Sequence, residues 1–204
     1  MRKANIITVL LLMLSALGVT AQDMRSLFLN APDSLFPLLT RNNREDCIDF
    51  IDAGMRARVT NRLDGKSELV SVTPVYLKLS SSANSSVQMR LLPHKGDTIV
   101  AVVRSVCAEA CDSRIAFYDR AWNHVSVPFE RPSVEEFFTV SDSLDYLLAR
   151  CDIYLVELTL SPDDETLVAE YTMPRYMSVK DSALIAPKLV PLRYRWNGNS
   201  FVKE

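Results

Sequence analysis

Apolar residues in the first part of the chain recur with the spacing of a helix. Four of them fall near the 3.6-residue period and form one stripe, while charged residues occupy the opposite side. Asn42 with Glu45 three residues later is the pattern of a capping box, so we expect the helix to begin there. Residues 32–34 predict a short helical turn before it. The stripe consists of Cys47, Ile48, Ile51 and Met55.

From Ser67 onward the apolar positions recur with a period of two, as in a strand that buries one face. Alternating runs on both sides of the polar tract Ser80–Ser86 predict a hairpin. Ile99–Val103 is apolar on both faces, as in a central strand. The pattern predicts an α+β fold in which N-terminal helices pack on an antiparallel meander sheet. The alternating runs are 75–79, 87–91, 115–118 and 125–127.

The second part of the chain repeats this order of a helix followed by strands. Pro128–Val140 contains two prolines and is predicted to be a connector, with a capping box at Ser133 and Glu136. Apolar spacing predicts a short helix over 144–151, and alternation predicts two strands. Asn197-Gly198 predicts a type I′ turn in the last hairpin. The predicted strands are 154–160 and 167–173, and the hairpin joins 190–196 to Phe201.

A short internal similarity suggests two related halves. Residues 33–41 and 142–150 share Asp-Ser-Leu, paired leucines and a final arginine, and each copy precedes a run of strands. The match leaves open the possibility that the chain is built from two helix-plus-meander halves. We therefore divide the chain into a signal peptide at 1–21, a first half of helix plus antiparallel sheet at 22–127, a connector at 128–140, and a second half of helix plus antiparallel strands at 141–204. The two halves are expected to form one compact unit.

The N-terminal residues are typical of a cleavable export signal. Arg2 and Lys3 precede the apolar stretch Ile6–Val19, which is too short for a confident membrane span. Small residues at Val19 and Ala21 predict cleavage after Ala21; the alternative is an uncleaved anchor helix. We expect an exported protein, periplasmic or on the cell surface, with no membrane span after cleavage.

The charge balance argues against a nucleic-acid partner. The chain has 23 lysines and arginines against 25 aspartates and glutamates, and both signs are dispersed along it. A nucleic-acid-binding protein usually concentrates its basic residues on one face. A protein partner or a glycan in the envelope fits the sequence better.

The chain has four cysteines, and cysteines of an exported protein can form disulfides because the compartment is oxidising. Cys107 and Cys111 lie between two strand patterns, so a disulfide between them is predicted to close a tight loop. Their C-x-x-x-C spacing differs from the C-x-x-C of thiol oxidoreductases, and no zinc-binding partner pair lies nearby. Cys47 and Cys151 are interpreted as buried thiols or as a bridge between two helices.

Motifs of known catalytic centres are absent from the sequence. It has no G-x-S-x-G elbow, P-loop or G-x-G-x-x-G, and its two histidines, His94 and His124, lie near predicted turns. The adjacent carboxylates Asp163 and Asp164 are expected to point apart, unlike a glycosidase pair. We expect no cofactor and no metal, and we favour a non-enzymatic protein over an enzyme.

Three aromatic residues are the candidate binding residues. Tyr118, Trp122 and Trp196 could stack on a sugar or a peptide, or they could seal the core at strand ends. A hydrolase or carbohydrate-active protein with a site assembled from distant residues is the alternative function, and an inhibitor or scaffold is a third. The hydrolase would use His94, His124, Asp112 or Asp119.

Three segments carry a family resemblance. Arg44–Ile51, Leu91–Pro93 and Asp112–Asp119, with Trp122 after them, resemble an uncharacterised family of exported Bacteroidales proteins, a domain of unknown function. The resemblance implies a Gram-negative source and an envelope location, and it carries no catalytic residue. The leading hypothesis is an exported envelope protein that acts as a non-enzymatic binding or interaction module.

Overall fold

The computed structural model describes residues 23–139 and 143–204. The predicted signal and the end of the predicted connector lie outside the described residues. No helix in the described ranges is long and apolar enough to cross a membrane. The α-helices are α1 (Met24–Asn30), α2 (Arg41–Asp52), α3 (Leu144–Leu148) and α4 (Val179–Ile185), with 3-10 helices at Glu135–Phe137, Met173–Tyr176 and Ala186–Lys188.

The larger sheet is an antiparallel meander, as the alternating pattern predicts. Its seven strands pair in chain order, so β4 is central and each strand neighbours the next one. Every pair is antiparallel, and β4 with β5 makes the longest ladder, from Ser85↔Val106 to His94↔Asp97. The strands are β1 (Ala57–Thr60), β2 (Lys66–Val72), β3 (Tyr76–Ser82), β4 (Ser85–His94), β5 (Asp97–Cys107), β6 (Cys111–Tyr118) and β7 (His124–Val125).

The smaller sheet comes from the C-terminal part of the chain. It has four antiparallel strands in the order β11-β10-β9-β8, and α4 with two 3-10 turns lies between β9 and β10. Two antiparallel sheets with a few helices make the protein α+β. The strands are β8 (Val156–Leu160), β9 (Thr166–Tyr171), β10 (Leu192–Trp196) and β11 (Phe201–Lys203).

Two apolar cores occupy the two faces of the large sheet, because successive strand residues point to opposite faces. The first core lies under α1, α2 and the loop between them, and the second lies between the two sheets. Buried residues of the first core include Phe28, Phe36, Cys47, Leu77 and Met89. Those of the second include Leu92, Phe117, Leu158, Tyr171 and Trp196.

The start of α2 differs from its prediction. Thr40 is the N-cap, and it exchanges hydrogen bonds with Asn43: the Thr40 hydroxyl accepts from the Asn43 backbone N–H, and Asn43 Oδ1 accepts from the Thr40 N–H. Asn42 and Glu45 are therefore not the capping pair, because a hydroxyl two residues earlier serves the first turn. Glu45 instead binds Arg41, with Oε1 and Nε 2.9 Å apart.

The segment before α2 has the short turn that was predicted and also a helix that was not. Residues 32–34 begin successive turns closed by Leu35 N–H to Pro32 O (2.9 Å) and Phe36 N–H to Asp33 O (3.0 Å), and α1 lies before them. Asp23 caps α1 by accepting from the Ser26 N–H. The turn predicted over the polar tract 80–86 is shorter in the structure, since β3 runs to Ser82 and β4 begins at Ser85.

The turns of two hairpins differ in the sign of φ. A type I′ turn needs positive φ at both central residues, and Lys95 (50°) with Gly96 (84°) meets this between β4 and β5. In the last hairpin, the Asn197 N–H bonds Ser200 O, so the central residues are Gly198 and Asn199. Only Gly198 has positive φ there, at 96°, so the predicted Asn197-Gly198 type I′ turn is wrong.

Candidate functional site

The structure brings two of the three predicted aromatic binding residues together. The ring centroids of Tyr118 and Trp122 are 5.7 Å apart, and both rings pack against the first core. Trp196 lies in the second core, with its ring 6.0 Å from that of Phe117 and its indole N–H donating to Pro93 O. Since Phe117 and Tyr118 are neighbours on β6, Trp196 is on the opposite face of the sheet.

The turn that carries Trp122 is shaped by Asp119. Asp119 Oδ1 accepts from the backbone N–H groups of Ala121 and Asn123, each at 2.8 Å. Hydrogen bonds from Asn123 hold the pKa of this carboxyl below its usual value. Trp122 has a positive φ of 67°. The role of Asp119 visible in the structure is therefore to order the β6–β7 turn.

The other polar residues proposed for a hydrolase are also used inside the fold. His94 Nδ1 is 3.0 Å from Gly198 O, which joins the ends of two hairpins from different sheets. Asp112 accepts from the Val156 N–H and from Arg131. In the described ranges neither His94 nor His124 forms an ion pair with a carboxylate within 4.0 Å, and the structure does not bring Asp112 and the histidines together as a triad.

The adjacent carboxylates Asp163 and Asp164 lie in the β8–β9 turn. Hydrogen bonds from Thr166 and Ser161 lower the pKa of Asp164, and Arg195 lies 3.9 Å away. The backbone N–H groups of both aspartates donate to Ser161 Oγ. Asp164 Oδ1 also accepts from the Thr166 N–H, so the visible role of the Asp164 carboxylate is to close the turn.

The cysteines divide into one disulfide and two thiols. Cys107 and Cys111 are opposite each other on β5 and β6 and are joined by a disulfide. Glu157 places a carboxylate oxygen within 4.8 Å of both sulfurs, but a disulfide offers no thiolate to a metal. Cys47 and Cys151 are free, so the bridge between helices is wrong. Burial raises the pKa of the Cys47 thiol to about 11.

A cavity of about 150 Å³ opens between the loop before α2 and the sheet. We call it the loop groove. Its wall is residues 35–39, and its floor is the end of β3, β4 and β5 where the serine-rich hairpin turns. Most of its lining is apolar, and Arg104 is the charged residue among the lining residues. They are Leu35, Phe36, Pro37, Leu38, Leu39, Leu79, Ser81, Ser85, Ser86, Val87, Arg104, Ser105 and Val106.

Arginine side chains hold the loop that forms the wall of the groove. Arg44 is only 2% exposed and donates to the carbonyl oxygens of Ala31 (3.0 Å), Leu29 and Leu39 (3.4 Å each). From the sheet, Arg104 donates to Leu35 O at 2.9 Å. A loop without regular structure needs such donors, because buried carbonyl groups otherwise lack a partner.

Asp33 anchors the same loop from outside. It accepts hydrogen bonds from Arg62 at 2.7 Å and from Arg44 at 3.2 Å. These bonds, the one from Arg62 first, lower the pKa of the Asp33 carboxyl. One carboxylate thus pairs with two arginines at this end of the loop.

Arg104 and Arg114 form an unusual pair on the face of the large sheet that carries the floor of the loop groove. They are direct partners in the β5–β6 register, so their side chains lie on the same face of the sheet. In the described ranges neither forms an ion pair with a carboxylate within 4.0 Å, whereas fourteen other contacts of that kind are present. Like charges directly opposite in a sheet are unfavourable. The arrangement leaves the Arg114 guanidinium, and the N–H groups of Arg104 that do not bind the loop, available to an anion.

Sequence reasoning missed the loop groove because its wall and floor are about 40 to 70 residues apart in the chain. One signal was present in the sequence. Arg104 directly follows the apolar run Ile99–Val103 and precedes the apolar Val106 by two residues, so a charge stands at the end of a segment predicted to be buried on both faces.

Comparisons with known proteins place this fold among uncharacterised relatives. A family model described as "Protein of unknown function (DUF3256)" matches residues 16–201. Among solved structures, the chain is similar to a domain of an uncharacterized protein from Porphyromonas gingivalis W83, with a TM-score of 0.76 and 24% sequence identity. That match covers 91% of this chain and 99% of the other. No curated protein matches the chain.

Proposed function

The chain belongs to the DUF3256 family of proteins of unknown function, and we propose that it is a non-enzymatic interaction module of the cell envelope, exported by a cleavable signal peptide. Family membership agrees with the resemblance found in the sequence, and the structural match supports the fold. The proposed partner is another envelope protein, and the proposed contact surface is the loop groove.

One observation carries the proposal: an apolar groove opens to solvent beside an arginine that has no acidic partner in the described ranges. Val106, at the rim of this groove, is 67% exposed although it lies on an interior strand. Exposed apolar side chains around a concave surface are typical of contact sites. A protein partner is favoured over a glycan because the rings of Tyr118 and Trp122 pack into the first core.

The polar residues considered for a hydrolase favour the same proposal. His94 bonds Gly198 O, Asp112 bonds the β8 backbone, and Asp119 closes a turn. A general base needs a free position within reach of the proton that it removes. Groups that hold turns and sheets together are better explained by stability.

Crosslinking in cells that naturally express the protein tests the contact surface. A photoreactive phenylalanine analogue replaces Val106 at the groove, and the control replaces Val202, which is 48% exposed on β11 of the other sheet. We expect an adduct of one defined mass from position 106, lost when Ser85→Trp fills the groove, and no such adduct from position 202. Equal crosslinking from both positions would contradict the proposed surface.

Mass spectrometry of the exported protein tests the proposed location. We expect an N-terminus at Gln22 in an envelope fraction, since cleavage is proposed after Ala21. A protein that keeps Met1 and remains in the cytoplasm would refute export, independently of the crosslinking result.

A further inference from the structure

We infer that the loop groove binds a partner polypeptide through one large apolar side chain flanked by an acidic residue, whose carboxylate reaches Arg104 and Arg114. This inference rests on the proposed function and adds the chemistry of the partner. It is carried by the size of the groove and by the charges beside it.

The size of the groove points to a single side chain. Its volume is about 150 Å³, and an apolar cavity of roughly that volume holds one benzene ring. Sites for whole small molecules are larger, on the order of 300 Å³ or more. A phenylalanine or leucine side chain of a larger partner therefore matches the groove, and a free ligand of drug size does not.

The other arginine pairs of this chain show what Arg104 and Arg114 lack. In three places two arginines share one carboxylate, which forms an ion pair with both and halves their combined charge. Arg104 and Arg114 are direct register partners, but they have no such carboxylate in the described ranges. The complete sets are Arg44 and Arg62 with Asp33, Arg56 and Arg58 with Glu68, and Arg193 and Arg195 with Glu204.

The position of Arg104 links the charge to the groove. Arg104 lines the groove and binds the Leu35 carbonyl oxygen, while Val106, two residues later on the same face of β5, also lines it. An apolar side chain in the groove therefore has a guanidinium beside it. A carboxylate on the neighbouring residue of the same peptide would reach that guanidinium and complete the missing set.

Titration with two blocked tripeptides tests the inference on the purified protein. The probe is N-acetylated and C-amidated Glu-Phe-Glu, and the matched control is Gln-Phe-Gln, which has the same apolar side chain without charge. We expect Glu-Phe-Glu to bind at least about tenfold more tightly by NMR titration, with shifts at Leu38 and Val106, because charge-assisted bonds to Arg are strong. We expect this preference to fall in high salt.

Two groups of variants separate charge from shape. Arg114→Glu reverses the charge at an exposed position that donates no hydrogen bond to the described part of the loop, and it should remove the preference for Glu-Phe-Glu. Val106→Trp should fill the groove and abolish binding of both peptides. Arg193→Glu and Val202→Trp, on the small sheet, are the matched controls and should leave both affinities unchanged.

Each outcome decides between the two proposals. Equal binding of both peptides, or a preference that survives Arg114→Glu, would overturn the acidic partner while leaving the groove as a contact site. Binding of neither peptide at the groove would overturn the partner chemistry and count against the proposed function as well. A charge preference that Arg114→Glu removes would support the inference.

Discussion

The two faces of the large sheet are covered in different ways. On the helix side, the cover near β5 is a loop, and arginine side chains donate to its carbonyl groups. On the other side, the cover is a second sheet whose edge strand β8 lies across β4, β5 and β6. A loop cover leaves a groove at its margin, and this is where the candidate site lies.

The contact with β8 is a row of hydrogen bonds that we call the seam. Three backbone N–H groups of this edge strand donate to side chains of the large sheet: Val156 to Asp112, Leu158 to Ser113 and Leu160 to Gln88. Free edge strands invite pairing with other chains. The seam satisfies this edge within the molecule. The small sheet is therefore fixed by paired polar groups, whereas the loop cover leaves the proposed contact surface open to solvent.

Arg44→Ala should give the largest loss of stability and tests the loop cover. The change removes the donor from three carbonyl groups under the loop, at a side chain that is 2% exposed. We expect the free energy of unfolding to fall by about 3 kcal/mol, because buried polar groups would lose their partner. Urea denaturation measures it, with Arg41→Ala on the exposed face of α2 as the control; equal losses would contradict the role of Arg44.

Gln88→Ala should break the seam at its buried end. Gln88 Oε1 accepts from the Leu160 N–H at 2.9 Å, and the residue is 4% exposed. We expect a loss of about 2 kcal/mol in unfolding free energy, since the N–H is left unpaired beside a small cavity. Lys78→Ala, at the exposed register partner on β3, should change stability little. A neutral result at Gln88 would mean that the seam does not hold the sheets together.

Ser113→Ala should weaken the seam less than Gln88→Ala does, because it removes only one small hydroxyl group. Ser113 Oγ accepts from the Leu158 N–H at 3.0 Å and also bonds Ser105 Oγ at 2.7 Å. We expect a loss of about 1 kcal/mol and faster exchange of the Leu158 amide hydrogen. Thr159→Ala, exposed on the same strand, is the control, and unchanged exchange at Leu158 would contradict the assigned bond.

Asp33→Asn should have the smallest effect on the free energy of unfolding, and the effect should appear in its dependence on acid pH. The pKa of Asp33 is lowered in the folded protein by Arg62 and Arg44, so its contribution to stability is present above the unfolded value of 3.8. That contribution is lost as the pH falls through the folded pKa. We expect the variant to show a flatter stability curve below about pH 4. Identical acid unfolding curves for both proteins would disprove the coupling.

Much of the fold was predictable because strand and helix patterns depend on neighbouring residues. The alternation at 75–79 and 87–91 predicted the β3–β4 hairpin, and the stripe from Cys47 to Ile51 predicted α2. Its fourth predicted member, Met55, is wrong, because it lies beyond the end of α2 at Asp52 and is exposed. Caps and turns were less predictable, since several residues compete for the same role. Thr40 replaced Asn42 as the cap, and Gly198-Asn199 replaced Asn197-Gly198 at the centre of the last turn.

The candidate site was less predictable than the fold. Tyr118 and Trp122 are close in sequence and meet in space, but Trp196 lies on the other side of the sheet because adjacent strand residues face opposite ways. Arg104 and Arg114 could not be recognised as a pair before the β5–β6 register was known.

The sequence alone determined the antiparallel strands, the second helix and the α+β class, because side-chain periodicity and turn residues act over a few positions. Only the tertiary structure decided the seam, where bonded partners lie 45 and 72 residues apart, and the loop groove. Those features depend on how two sheets and a loop close over one another. Each closure is set by the sum of many distant contacts, which no short pattern in the chain contains.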